Sequence, residues 1–177
     1  METKSNVLCN IHKGISVLIS LWIMNVFLMS LPYKFSGHPD TQHIFSTIGQ
    51  WISETVHKGL GEGFSEYAAY VIGGGELIVS ILLLIPVTVI LLKLFGFLKT
   101  KQVPKALFGI GGLGAALLMG GAIFFHTQTP LGVEVIHNGE SDGGSLFKAA
   151  VSIFVLGITL FVSYFHSVKS VLCKNCK

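Results

Sequence analysis

Arginine is missing altogether: all twelve basic residues are lysine. Bidentate phosphate clamps and arginine-based base readout therefore cannot be built from this chain. Charge of either sign is scarce, at 12% of the 177 residues, where a soluble domain carries about 25%. Cysteine is limited to Cys9, Cys173 and Cys176, too few for a disulfide scaffold. No Asn-x-Ser/Thr acceptor occurs. What fills the space is apolar: 51% hydrophobic residues and a mean hydropathy of +0.70. So little charge cannot coat a water-facing surface, which excludes a soluble globular enzyme and a disordered tail. A net charge of +3 is too small for a nucleic-acid binder. An integral membrane protein remains.

A membrane span needs about twenty mostly apolar residues. Four stretches qualify, at roughly 14–31, 68–92, 106–125 and 149–167. The expected fold is all-α: a four-transmembrane-helix bundle forming one membrane domain over 1–177. The second span is long enough to tilt or kink, and Pro86 lies inside it. The first has a long apolar run and no A-x-A-like site before Pro32, and reads as an uncleaved helix.

The lysines predict topology. Lys4 and Lys13 precede span 1, Lys93, Lys99, Lys101 and Lys105 lie between spans 2 and 3, and Lys169, Lys174 and Lys177 follow span 4. Nine of the twelve lysines thus fall on one side, and seven acids from Asp40 to Asp142 on the other. The positive-inside rule puts both termini in the cytoplasm, with 169–177 as a short basic cytoplasmic tail. Between spans 1 and 2, an outer interfacial amphipathic helix is expected near 41–60, capped by Asp40. Ile44, Phe45, Ile48, Trp51, Ile52 and Val56 share one face, and His43, Gln50, Glu54 and His57 the other. Asn138-Gly139 and Asp142-Gly143-Gly144 are turn signals, with 133–137 as a short hairpin arm.

Ionisable groups at membrane depth are costly and usually functional. Glu76 is the clearest case. Fifteen Leu, Ile and Val residues between Val71 and Leu92 outweigh one acid and let the helix insert. The carboxylate still needs a partner or a proton. Seventeen residues separate it from Lys93, or about 25 Å along a helix. Lys34, His126 and Lys148 each lie twenty-one residues from Lys13, Lys105 and Lys169, so they should ring the outer edge about one turn above Glu76. Helical facing turns each of them inward. Ser16, Ser20, Ser30 and Lys34 share a face, as do Ala69, Gly73, Glu76 and Ser80. His126 shares its face with Met119, Ala115 and Gly112. Lys148, Ser152, Thr159, Ser163 and His166 form a polar stripe expected to face the bundle interior.

Other patterns point less far. Glu54-x-x-His57, with His43 on the same face, has metal-ligand spacing but reads as a solvated helix face, and no metal site is assigned. His137 and Glu134 could join a site only if their loop folds over the bundle. Cys173-Lys-Asn-Cys176 lacks the strand–helix setting of a redox motif, and the three thiols are one short of a closed zinc site. No G-x-x-x-x-G-K, H-E-x-x-H, G-x-S-x-G or C-x-x-C-H occurs. Nucleotide hydrolysis, metalloprotease, serine hydrolase and covalent c-type haem chemistry therefore lack support.

The arrangement resembles the DoxX-like family of small four-helix membrane proteins over roughly 14–167. The resemblance rests on Leu31-Pro32-Tyr33-Lys34-Phe35 after span 1, Gly73-Gly74-Gly75-Glu76-Leu77 opening span 2, and Met119 to His126 closing span 3. It continues in Thr129-Pro130-Leu131-Gly132 and Gly143-Gly144-Ser145-Leu146-Phe147. It implies a quinone-linked or redox-partner role, with Lys34, Glu76 and His126 as matching positions; the expected ligand is a quinone-like or small polar molecule held non-covalently near the outer leaflet, and the expected location the bacterial inner membrane. Glu76 and His126 would handle the proton of quinone chemistry as catalytic residues. Lys34, Glu76, His126 and Lys148 would line the ligand site. Electrons would come from a membrane or redox protein partner or from a bound quinone. Two other classes stay open. One is a non-enzymatic assembly or accessory protein binding partner helices, or a second copy, through glycine-rich faces. The other is a proton-coupled transporter using Glu76, although no inverted repeat is visible.

Overall fold

The computed structural model describes residues 2–98 and 103–174, with the side chains of 10–98 and 103–169. Five helices follow in order: α1 (Glu2–Phe35), α2 (Pro39–Thr55), α3 (Lys58–Leu94), α4 (Ala106–Gln128) and α5 (Ser145–Lys174). A small hairpin, β1 (Ile136–His137) and β2 (Glu140–Ser141), lies between α4 and α5. The chain is an all-α integral membrane protein: α1, α3, α4 and α5 are long and apolar enough to cross a bilayer. They alternate in direction. Lys34 of α1 meets Glu76 of α3 at one end. His12 of α1, Phe108 of α4 and Tyr164 of α5 meet at the other. The first is called the cap end below, because α2 and the hairpin cover it; the second is the lysine-rich end.

Between them runs one apolar core, with Ile23 and Phe27 of α1, Leu83 and Val87 of α3, Phe108 of α4, and Ile153 and Leu160 of α5. Lipid gives apolar helices no drive to associate, so close packing must do it. Glycine supplies the closeness. A Cβ added to Gly157 of α5 would stand 2.6 Å from the Gly112 carbonyl oxygen of α4, and one on Gly112 would stand 2.7 Å from the Gly157 oxygen. The two backbones touch. Gly109, Gly112 and Gly120 on the glycine-rich surface of α4 therefore face α5 within the same chain. A similar crossing joins α2 to α3, where a Cβ on Gly49 would lie 2.6 Å from the Gly61 oxygen.

That second crossing reshapes the cap. At thirty-seven residues, α3 is about 55 Å long, far more than the roughly 30 Å apolar layer. Its first turns project from the bundle, and α2 packs along them. Phe45 and Ile48 are buried, and Ile44, Ile48 and Ile52 join Phe64, Phe125, Leu131 and Val135 in a second apolar cluster. Most of the expected apolar face is thus covered by protein: Phe45 and Ile48 are buried, Ile44, Trp51 and Ile52 half-buried, and only Val56 exposed.

The expected helix over 41–60 is divided. α2 ends at Thr55, and the His57 ring accepts from the Gly59 N–H at 3.1 Å, capping α3. At the start of α2 the cap is His38 rather than Asp40, with its ring accepting from the Asp40 N–H. Asp40 follows Pro39 in the first turn, where its charge favours the helix dipole. α5 continues past 169 to Lys174, so that part of the expected tail is helical. The side chains of Cys9 and Cys173, and Cys176 itself, lie outside the described residues.

The polar stripe of span 4 faces outward, not into the bundle. Lys148, Thr159, Ser163 and His166 are exposed, and Ile153, Gly157, Leu160, Tyr164 and Val168 form the buried face. The contact with Gly112 fixes that rotation. The hydroxyls tolerate it because Thr159 donates to the Val155 carbonyl and Ser152 to Ala149.

Candidate functional site

Ser30 and Lys34 stand one helical turn apart on the bundle-facing side of α1. Opposite them, on α3, is Glu76. The Lys34 Nζ donates to Glu76 Oε2 at 2.7 Å and to Oε1 at 2.9 Å. It also donates to the Ser30 hydroxyl at 2.9 Å. That hydroxyl lies 2.7 Å from both Glu76 Oε2 and the Phe27 carbonyl. The carboxylate is 3% exposed and the lysine side chain 15%. Glu76 lies among the spanning residues with all its needs met from α1.

Gly73 makes this approach feasible. A Cβ there would meet the Phe35 ring at 3.2 Å and Lys34 Cδ at 3.5 Å. A side chain one turn before Glu76 would press on the Phe35 ring, with the lysine arm at ordinary contact distance. Glycine at 73 thus leaves room for the Phe35 ring beside the pair.

Lys34 has a second surface. Beyond the pair a cleft of about 600 Å³ opens between the end of α1, α2 and the first turns of α3, and Lys34 forms part of its wall. His43, Glu66, Tyr70 and His137 line it as well. His137 arrives from the hairpin, where Asn138 and Gly139 take φ of 53° and 83°, the paired positive values of a tight two-residue turn. Its ring stacks on His43 with centroids 4.6 Å apart, and its Nδ1 lies 2.7 Å from Asp40 Oδ1. The loop does fold over the bundle. Glu134 does not follow it into the cleft; its carboxylate accepts from the Ser141 hydroxyl at 3.1 Å.

The loop holds its shape through Asp142. Partial burial alone would raise this carboxyl, but N–H donors from Leu146, Gly144 and Val135, with the Ser145 hydroxyl, outweigh it. The result is a carboxyl held below its ordinary value.

The other expected site residues go elsewhere. His126 is buried, yet its Nδ1 lies 2.7 Å from the Gly132 carbonyl, and its ring meets Phe147 edge-on at 5.7 Å. A carbonyl can only accept, so Nδ1 carries the hydrogen and pins the turn after α4. The Lys148 ammonium is exposed and donates to the Gly143 carbonyl at 2.9 Å. Lys34 and Glu76 are thus brought together, while His126 and Lys148 are engaged with the loop that covers this end. Glu54 and His57 fall on separate elements, with Glu54 accepting from Gln50. Among the described residues no three His, Cys, Asp or Glu side chains are grouped so as to hold a metal ion.

Sequence reasoning did not foresee the grouping of His43, His137 and Asp40. The available signals were a histidine on the polar face of α2 and a turn dipeptide beside another histidine. Neither states which helix the turn lands on. No family model, curated protein or solved structure matches this chain.

Proposed function

We propose that this chain is a DoxX-like, redox-associated subunit of the bacterial inner membrane, with both termini cytoplasmic and the cap end on the outer leaflet. Its site binds a quinone-like or small polar ligand in the cleft walled by Lys34. The observation that carries the reading is the double role of Lys34, paired with a buried carboxylate on one side and facing a cleft on the other. A quinone carbonyl oxygen is an acceptor; the ammonium, whose three hydrogens go to Ser30 and the two Glu76 oxygens, would exchange the Ser30 bond for a donation to it. Full reduction to the quinol takes up two electrons and two protons. The chain has no flavin, haem or iron–sulfur signature in its sequence, so a partner redox protein supplies the electrons. The Lys34–Glu76 pair passes the two protons one at a time, each replaced from solvent through the open cleft. His126 moves from proton handling to positioning the loop over the site.

Binding of a short-chain benzoquinone to the protein in lipid nanodiscs tests this reading. The wild-type chain should bind it, and the double variant Lys34→Met/Glu76→Leu should lose binding at least tenfold while keeping its helical circular dichroism. No binding by the wild type, or equal binding by the folded double variant, would sink the proposal.

A further inference from the structure

We propose that the protein is a dimer joined along α1, with Asn25 of each copy hydrogen-bonded to its counterpart near the middle of the membrane. α1 carries two stripes. Ser16, Ser20, Ile23 and Phe27 are buried and, with Ser30 and Lys34, step by four and three residues along the bundle side. Gly14, Leu18, Leu21, Asn25, Leu28 and Pro32 step by four and three along the opposite side, and all six are exposed. Five of them are at home against lipid. Asn25 is not.

Its depth is what makes it costly. Twelve residues separate Asn25 from Lys13, and nine separate it from Lys34, which is about 18 Å and about 14 Å of helix. That is the centre of an apolar layer roughly 30 Å thick. Neither water nor lipid offers a hydrogen bond there. No hydrogen bond among the described residues involves this amide.

The amide names its own occupant. A primary amide donates and accepts at once, so a carboxylate or an ammonium would meet only half of it. A second copy related by a twofold axis meets both halves, because on such an axis a residue can face itself. A single asparagine in an otherwise apolar four–three seam also sets the register and the number of strands. The 3.5-residue repeat favours a shallow left-handed crossing. At the seam's far end a Cβ on Gly14 would meet nothing within 4 Å, which leaves room for a second backbone. This interface is separate from the cleft and from the glycine crossing of α4 with α5, and it does not rest on the quinone reading.

Energy transfer between differently labelled copies in lipid vesicles, at falling protein-to-lipid ratios, reads the dimer. The wild type should associate. Asn25→Leu, which keeps an apolar helix, should weaken association by roughly 3- to 20-fold, and Asn25→Gln should retain it. In a chain whose three native cysteines are serine, Leu18→Cys should cross-link between copies under mild oxidation. Leu117→Cys on exposed α4 should not. A monomer at every ratio, association unchanged by Asn25→Leu, or cross-linking from α4 instead of α1 would each overturn the proposal.

Discussion

Among the described residues, each end of the bundle has a polar cluster that crosses helices, and the two are made of different chemistry. At the cap end a lysine and a glutamate are paired across α1 and α3. At the lysine-rich end the groups are hydroxyls and an imidazole. Ser16 Oγ lies 2.9 Å from the Tyr164 hydroxyl and donates to the His12 carbonyl, and Ser20 donates to the Ser16 carbonyl. Both clusters cross helices, and both are satisfied. Hydroxyls cost little to bury once bonded. A charged pair costs far more, often more than an apolar pair of the same volume would. The neutral cluster is what fastening α1 to α5 requires. The charged one exceeds that need, and it borders a cleft.

The sharpest way to break this contrast is to unpair the charges. Glu76→Leu alone, or Lys34→Met alone, should destabilise the protein by about 3–5 kcal/mol, because the remaining charge is left buried without its partner. A large fall in Tm in detergent checks it. A negligible fall would place both clusters in the same class. The double variant Lys34→Met/Glu76→Leu should recover to within about 1 kcal/mol of wild type and still lose ligand binding. Recovery of both properties would make the pair a fastener and nothing more.

At the other end Tyr164→Phe removes one hydroxyl shared with Ser16 and His12. It should cost about 1 kcal/mol and leave benzoquinone binding unchanged. A loss of binding there would erase the distinction between the two ends. The smallest effect is local and pH-driven. Asp142 is depressed in the folded protein, so its contribution is present above the ordinary carboxyl value of 3.8 and is lost as pH falls through its lower folded value. The amide resonances of Val135, Gly144 and Leu146 should then shift together, with those around Tyr164 unmoved. Independent shifts would show that Asp142 does not organise the loop.

Much of the architecture was legible because it depends on local quantities. Span length, hydropathy and lysine position need no knowledge of neighbours. The facing of Ser30 with Lys34 on one helix, and of Gly73 with Glu76 on another, follows from helical periodicity alone. Periodicity failed at α5, where Ser152, Thr159 and Ser163 looked like an inward stripe. Serine and threonine can return their hydrogen bond to the preceding turn, so a polar stripe in a membrane helix does not have to face protein. It failed again at 41–60, where the two-faced pattern runs on through Val56 and His57 and carries no sign that His57 caps a new helix.

Hydropathy and charge distribution by themselves determined a membrane chain with four apolar spans and one acid placed where an acid is costly. Which of three basic groups would answer that acid was decided in three dimensions. Depth made Lys34, His126 and Lys148 equivalent. The small volume of Gly73 let α1 close on α3, and the loop between α4 and α5 claimed the other two. Partner choice depends on which helices touch and at what rotation. Those are set by backbone contacts of Gly112 with Gly157, which lies forty-five residues further on, and of Gly49 with Gly61 across the turn between α2 and α3.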